Sequence, residues 1–395
     1  MSGIMNNIYN NVTFALQRHM EALYRLQEQA STGSRINRPS DDPSAAYRVL
    51  TLDTESSSLE NYINTLADMS STLDTGSSMI QQMATIIAQI RTNITQITGG
   101  IYDQDSRDRT AEAINDSLEQ LINLANTKYN GQYLFAGANT ASAPYAVERA
   151  NGEITAVNYQ GSQESRSVNV APGVSSGAFY VGEELFRSDN RSSPVFAGTT
   201  GAAAGTGTSS VTGDVWLTVN FDGTNYTLSI DDGATFVTTG AGDDANLAVT
   251  DSRTGKVLYV NATAINQTGV ELVRVPGTYD VFNALISVRD ILKNDRNLSD
   301  EQLKQSLDVS VDSLDELKNL LLQKEVSIGS KSAFFSDLKG NLENLKFNAQ
   351  DEADQLQQAD IAQVSIGLAR HQALYQMSLA VAGKLMSLSL LDFIE

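Results

Sequence analysis

The chain has no cysteine and only two histidines, His19 and His371, in 395 residues. Without cysteine there are no disulfides, thiolate metal sites or cysteine nucleophiles. With no histidine between 19 and 371, the middle of the chain holds neither a Ser-His-Asp triad nor a histidine-ligated zinc site. Basic residues are also scarce: 27 Lys and Arg stand against 47 Asp and Glu, a net charge of −20. Such a surface lacks the basic footprint that phosphate backbones require, so no nucleic-acid partner is expected. No run of about 18 apolar residues occurs, so no membrane insertion is expected. The start, Met1 to Asn7, has no basic region followed by an apolar one, which argues against a cleaved secretory signal. No Walker A sequence and no dinucleotide-binding glycine pattern opens a helix. Asp231-Asp232 and Asp243-Asp244 lie near glycines and read as turns rather than calcium loops. Nothing asks for a reaction, so neither an enzyme nor a cofactor nor a metal is expected.

What is present is two long apolar ladders. Leu52, Leu59, Leu66, Leu73, Ile80, Ile87 and Ile94 recur every seven residues, beside a second row of Tyr62, Met69, Gly76, Met83, Ile90 and Ile97. Toward the other end, Leu307, Leu314, Leu321, Ile328, Phe335 and Leu342 repeat the pattern, flanked by Leu303, Leu317, Leu338 and Leu345. A sevenfold repeat marks a helix whose seam faces another helix. The two ends are therefore expected to pack on each other.

A first helix over 5–30 carries Met5, Val12, His19 and Leu26 on one row and Tyr9, Leu16, Leu23 and Ala30 on the other. Gly33 reads as its C-cap, and Asp42-Pro43 as the N-cap and first residue of a helix running to 98, where Gly99-Gly100 breaks it. A third helix is expected over 105–129. Residues 132–278 turn rich in Gly, Thr, Ser, Val and Tyr and read as strands. The clearest hairpin turns at Asp222-Gly223. A two-residue turn there pairs Phe221 with Thr224, Val219 with Tyr226, Leu217 with Leu228, and Val215 with Ile230. The glycine-rich stretch 197–207 reads as a flexible linker opening an inserted β unit, 195–275. Helices resume over 279–294 and 299–356, with Ser299 and Gln302 forming a capping box, and a last, nearly uncharged helix covers 358–391. Its apolar residues include Leu368, Leu374, Tyr375, Val381, Leu385, Leu388 and Leu391, followed by Phe393. Long apolar surface with few charges needs a partner to cover it. The two histidines, each on a terminal apolar row, read as tolerated in a helix seam, with a pH-sensitive contact as the sharper alternative.

The fold class is α+β and multidomain: a long antiparallel coiled-coil-like helical bundle from both termini, with an outer β-rich domain from the middle of the chain. Expected domains are terminal helices 1–43 with 358–395, disordered in the monomer; a helical rod of 44–131 with 279–357; and the β domain, 132–278.

The run Ser31 to Pro43, read as STGSRINRPSDDP, resembles the N-terminal signature of the bacterial flagellin superfamily. The two-proline version, with Pro39 and Pro43, is more similar to the hook-associated members that join hook to filament than to filament flagellins. Tyr129 to Gly137 and the tail from Ala373 to Ile394 resemble the same group. The likeness covers about residues 1–145 and 280–395; the insertion lies outside it. It implies a structural subunit, secreted and extracellular, at the hook–filament junction of the bacterial flagellum. Its implied partners are flagellin, the first hook-associated protein, copies of itself in a ring, a cytoplasmic export chaperone and the flagellar type III export apparatus. Tyr9, Val12, Leu16, Leu23 and Leu26 are then expected to make assembly contacts. Leu368, Leu374, Tyr375, Val381, Leu385, Leu388, Leu391 and Phe393 are expected to meet neighbours or the chaperone. In the signature loop, Arg35, Asn37, Pro39, Asp41, Asp42 and Pro43 are expected to shape the turn and touch neighbouring subunits, against the plainer reading of a local helix cap. The alternatives are a filament flagellin, or an adhesin or glycan-binding module in the inserted β unit.

Overall fold

The computed structural model describes residues 2–98, 103–177, 180–240 and 242–394, with side chains described for 10–384 within those ranges. The expected break at Gly99-Gly100 lies outside them. The described helices are α1 (Ser2–Thr32), α2 (Pro43–Thr98), α3 (Gln104–Ala125), α4 (Gly182–Phe186), α5 (Val281–Lys293), α6 (Asp300–Gln357) and α7 (Ile361–Ile394). The strands are β1 (Lys128–Tyr129), β2 (Gln132–Tyr133), β3 (Tyr145–Ala150), β4 (Glu153–Tyr159), β5 (Ser167–Ala171), β6 (Val174–Gly177) and β7 (Val195–Ala197). They continue with β8 (Ala203–Ala204), β9 (Gly213–Phe221), β10 (Tyr226–Ser229), β11 (Val237–Thr238), β12 (Leu247–Thr250), β13 (Val257–Asn261) and β14 (Gly269–Val275).

Two compact units emerge: Met1–Thr65 with Asp337–Glu395, and Leu66–Ser336. The division falls inside α2 and α6, not at residues 43 and 357. In the first unit α1 packs on α7. The opening turns of α2 lie antiparallel to the last turns of α6, where Val49, Leu52, Ala349 and Ala353 form a small core. Arg48 pairs with Glu352 at 2.9 Å and Lys346 with Glu60 at 3.4 Å along the rim.

In the second unit the ladders continue. Leu66, Leu73, Ile80, Ile87 and Ile94 are buried, as are Leu307, Leu314, Leu321, Ile328 and Phe335. Arg91 to Asp315 at 2.7 Å and Ser332 to Asp74 at 3.0 Å fix the antiparallel register of α2 and α6. The α6 start is the expected capping box: the Ser299 amide donates to Gln302 Oε1 at 3.2 Å, and the Gln302 amide to Ser299 Oγ at 3.4 Å. Helix α3 packs on α5. It stops at Ala125, four residues short of the expected end, because Asn126 turns its amide onto the Tyr145 backbone (3.0 Å in both directions). Lys128-Tyr129 then becomes the first arm of a tight hairpin over Asn130 and Gly131, both at positive φ.

The strands of residues 195–275 form a five-stranded sheet, β11-β10-β9-β14-β7, and a three-stranded sheet, β12-β13-β8. Leu217, Val219, Leu228, Val249, Leu258, Val260 and Val273 fill the core between them. Two sequence-based expectations need correcting here. The hairpin register is shifted by two: Phe221 pairs with Tyr226, and Val219 with Leu228. Asp222 Oδ1 accepts the amides of both Thr224 and Asn225 at 2.8 Å, which draws four residues into the turn instead of two. The even shift leaves every side chain on its expected face. The stretch 197–207 is not a linker. Ala203-Ala204 is a strand, and Thr200 is buried with its hydroxyl on Glu271 at 2.8 Å. Its glycines serve close approach: a Cβ at Gly207 would fall 2.4 Å from the Tyr259 ring.

Candidate assembly surface

The signature loop is built from its own side chains. Gly33 adopts φ +72°, and its amide closes α1 on the Gln29 carbonyl at 2.9 Å. The Arg35 amide donates to the Gln357 carbonyl at 2.6 Å, and the Ala359 amide to the Gly33 carbonyl at 2.9 Å, so the loop clasps the turn between α6 and α7. Arg35 reaches both Asp42 (3.0 Å) and the Leu356 carbonyl (3.1 Å). Asp41 Oδ2 accepts the amides of Asn37 (3.2 Å) and Arg38 (2.9 Å), while the Asn37 side chain donates to the Ser34 carbonyl at 3.1 Å. Asp42 caps α2 through the Ala45 amide at 3.1 Å, one residue before Pro43. That amide, and after it the Arg35 side chain, hold the Asp42 carboxyl below the ordinary carboxylate range. Arg35, Asn37, Asp41 and Asp42 are thus committed to contacts within the chain. Pro39 and Pro43 are exposed.

The α1·α7 pair brings the terminal rows together. Val12, Leu16, His19, Leu23 and Leu26 are half-buried on α1, and Leu368, His371, Leu374 and Tyr375 on α7. Leu26 packs over Gly367, where an added Cβ would lie 3.1 Å from Leu26 Cδ1. His19 Nδ1 meets His371 Nδ1 at 3.3 Å. Val381 is exposed. The side chains of Tyr9, Leu385, Leu388, Leu391 and Phe393 lie outside the described set.

Half-burial is the salient property. Of the 19 large apolar side chains that stand exposed among the described residues, 12 belong to the unit Met1–Thr65 with Asp337–Glu395, which is less than a third of the chain. Ile366 (69%), Tyr24 (66%), Met377 (62%) and Phe14 (61%) are the most exposed of them on α1 and α7. Heptad reasoning misses Phe14, Tyr24 and Ile366 because they fall off the two periodic rows. The available signal is the lack of polar residues at those positions in helices that otherwise carry them.

Among the described residues, acid–base chemistry has no comparable focus. A cleft of about 490 Å³ in the second unit is lined by Trp216, Asp214, Asp280, Asn283 and Lys256, among others. Its acids are already engaged: Asp214 binds Arg274 and Ser287, and Asp280 caps α5 through the amides of Phe282 and Asn283 at 2.9 Å. Both histidines lie in the other unit. Among the described residues, no group of three or more His, Cys, Asp or Glu is placed to hold a metal, and no helix is long and apolar enough to cross a membrane.

With this geometry the relationships to known proteins are consistent. Residues 5–140 match the bacterial flagellin N-terminal helical region. The flagellar hook-associated protein 3 of Escherichia coli (strain K12) is 28% identical over 162 residues, 41% of this chain and 49% of the relative. Its counterpart in Salmonella typhimurium is 30% identical over 165 residues, 42% of this chain and 50% of the relative. The chain thus spans about half the length of the curated relatives it matches. The crystal structure of flagellar hook associated protein-3 from Legionella pneumophila superposes with a TM-score of 0.55 at 15% identity, covering 78% of this chain and 98% of that one. The N-terminal third of the chain thus matches a flagellin-type helical region, and the chain shares the fold of the solved hook-associated protein-3.

Proposed function

We propose that the chain is a structural, non-enzymatic subunit of the bacterial flagellum that joins the hook to the flagellin filament. The observation that carries this reading is the concentration of exposed apolar side chains on the α1·α7 unit of a chain related to hook-associated protein 3. Such surface is costly in water and is covered when copies pack side by side. The subunits then form a ring through their terminal helices, with the first hook-associated protein on one side and flagellin on the other. The subunit acts outside the cell, after passage through the type III export apparatus, and an export chaperone covers α7 beforehand. Residues Val12, Leu16, Leu23, Leu26, Leu368, Leu374, Tyr375 and Val381 belong to this helical contact zone. The signature loop holds α1 and α7 at the angle that the lattice needs.

The deciding experiment is deletion of the gene in its own host. Intact hooks with flagellin leaking unassembled into the medium support the junction role. Normal filaments on such cells would refute it. Long filaments grown by the purified chain alone would instead favour a filament flagellin.

A further inference from the structure

The two histidines are 352 residues apart in sequence and meet across the α1·α7 seam. Their Nδ1 atoms are 3.3 Å apart, the ring centroids 5.4 Å, and the ring planes are inclined at 55°. That separation is long for a hydrogen bond from a ring N–H, which falls at about 2.7–3.2 Å. It matches another geometry. Two imidazole nitrogens bound at about 2.0–2.1 Å to one tetrahedral zinc are about 3.3–3.4 Å apart. Both rings are half-buried on stiff helices, so the spacing is preset and water can still enter.

The surroundings of the two rings are largely apolar. One turn away on the seam lie Leu16 and Leu23 on α1, and Leu368 and Tyr375 on α7. The nearby charged residues of both helices, Arg18, Glu21, Arg25 and Arg370, are exposed. These two rings are also the whole imidazole supply of the chain, which has no cysteine. A borderline divalent metal, which prefers nitrogen and sulfur over carboxylate oxygen, therefore has no competing site of its preferred kind.

We propose that His19 and His371 form a two-imidazole clip for zinc or a similar borderline divalent cation, stapling α1 to α7. The protein supplies two ligands and water completes the coordination. The clip does not depend on the junction role, and it would operate in the isolated chain.

The test uses the full-length chain stripped with EDTA and titrated with zinc chloride. One zinc per chain is expected to bind, with magnesium failing to compete. His19→Gln and His371→Gln should each weaken zinc binding by about tenfold or more. In the wild type, zinc should slow amide exchange over residues 10–32 and 361–384 and shield both imidazoles from acylation by diethylpyrocarbonate, with EDTA reversing both. These wild-type measurements decide the matter even if a variant loosens the helix pair. Zinc binding that is unchanged in both variants, or wild-type exchange and acylation indifferent to saturating zinc, would overturn the clip and leave an ordinary imidazole contact.

Discussion

Replacing Phe14 by serine separates assembly from folding. Phe14 is 61% exposed on α1. An aromatic side chain buries about 150–250 Å² when fully enclosed, so roughly 120 Å² of Phe14 remains in water. At about 25 cal/mol per Å², covering it in a neighbour contact is worth about 3 kcal/mol. Ordering and imperfect fit consume part of this, leaving about 1.5–2.5 kcal/mol, or about 10- to 70-fold in association. The same change costs the folded monomer little. Serine and phenylalanine have similar helix propensity. In the folded state Arg18 lies over the ring at 6.0 Å, a contact worth about 0.5–1 kcal/mol at an exposed site.

The matched control is Phe236→Ser, a site 67% exposed in the other unit. Two measurements are needed for each variant. One is the urea midpoint of the purified monomer, which should shift by less than about 1 kcal/mol in either case. The other is the flagellin released unassembled by host cells carrying the variant as their sole copy. Phe14→Ser should leak flagellin and Phe236→Ser should not. Wild-type filament growth with Phe14→Ser, or equal leakage from both variants, would refute the assignment of the assembly surface to the terminal helices.

Three further outcomes follow from the packing. Arg274 and Asp214 are a buried ion pair, 1% and 7% exposed, joining β14 to β9; Arg274 also donates to Ser313 of α6 at 3.0 Å. Asp214→Ala strands the guanidinium and should lower stability by about 3–5 kcal/mol in urea unfolding, and a loss below about 1 kcal/mol would contradict the buried pairing. Burial pushes the Glu271 carboxyl above the ordinary glutamate range, with the Thr200 hydroxyl and amide pulling it partly back. Between its unfolded and folded values the native state binds more protons, so stability falls as pH rises through that window. Glu271→Gln should therefore be more stable than wild type at pH 8, with the gap closing toward pH 4; a constant gap would sink the argument. In the metal-free monomer, amides of residues 10–32 and 361–384 should exchange faster than those of the ladder at 303–335, because the terminal pair is only half-buried. Equal protection in both regions would count against the terminal pair being the less stable part of the fold.

The ladders were legible because a sevenfold row needs only local sequence, and nearly every named residue of both rows is buried. Caps were legible for the same reason: Asp42 and Ser299 act within three residues of themselves. What failed depended on contacts far along the chain. The glycine stretch 197–207 looks flexible by composition, yet Tyr259 and Glu271 decide its conformation. The hairpin register turned on one aspartate choosing two amides, a preference that the Asp-Gly pair conceals. Of the candidate site, the loop and the seam were readable. Phe14, Tyr24 and Ile366 were not, because a search for period discards residues that break it.

Those off-period residues explain why the terminal helices need more than each other. At about 100° per residue, Phe14 lies about 200° around α1 from Val12, which is on the seam with α7. On α7, Ile366 and Met377 lie about 200° and 220° around from buried Val364. Each helix therefore carries apolar side chains on the face toward its partner and on the face away from it. A helix pair buries one stripe per helix, and a helix apolar on opposite sides is stable in water only inside a larger array. The ladder helices differ: Leu314, Leu321 and Ile328 are at most 1% exposed within the chain itself. One chain thus combines helices that complete their own core with helices that leave apolar faces uncovered, and it is the second kind that Phe14→Ser probes.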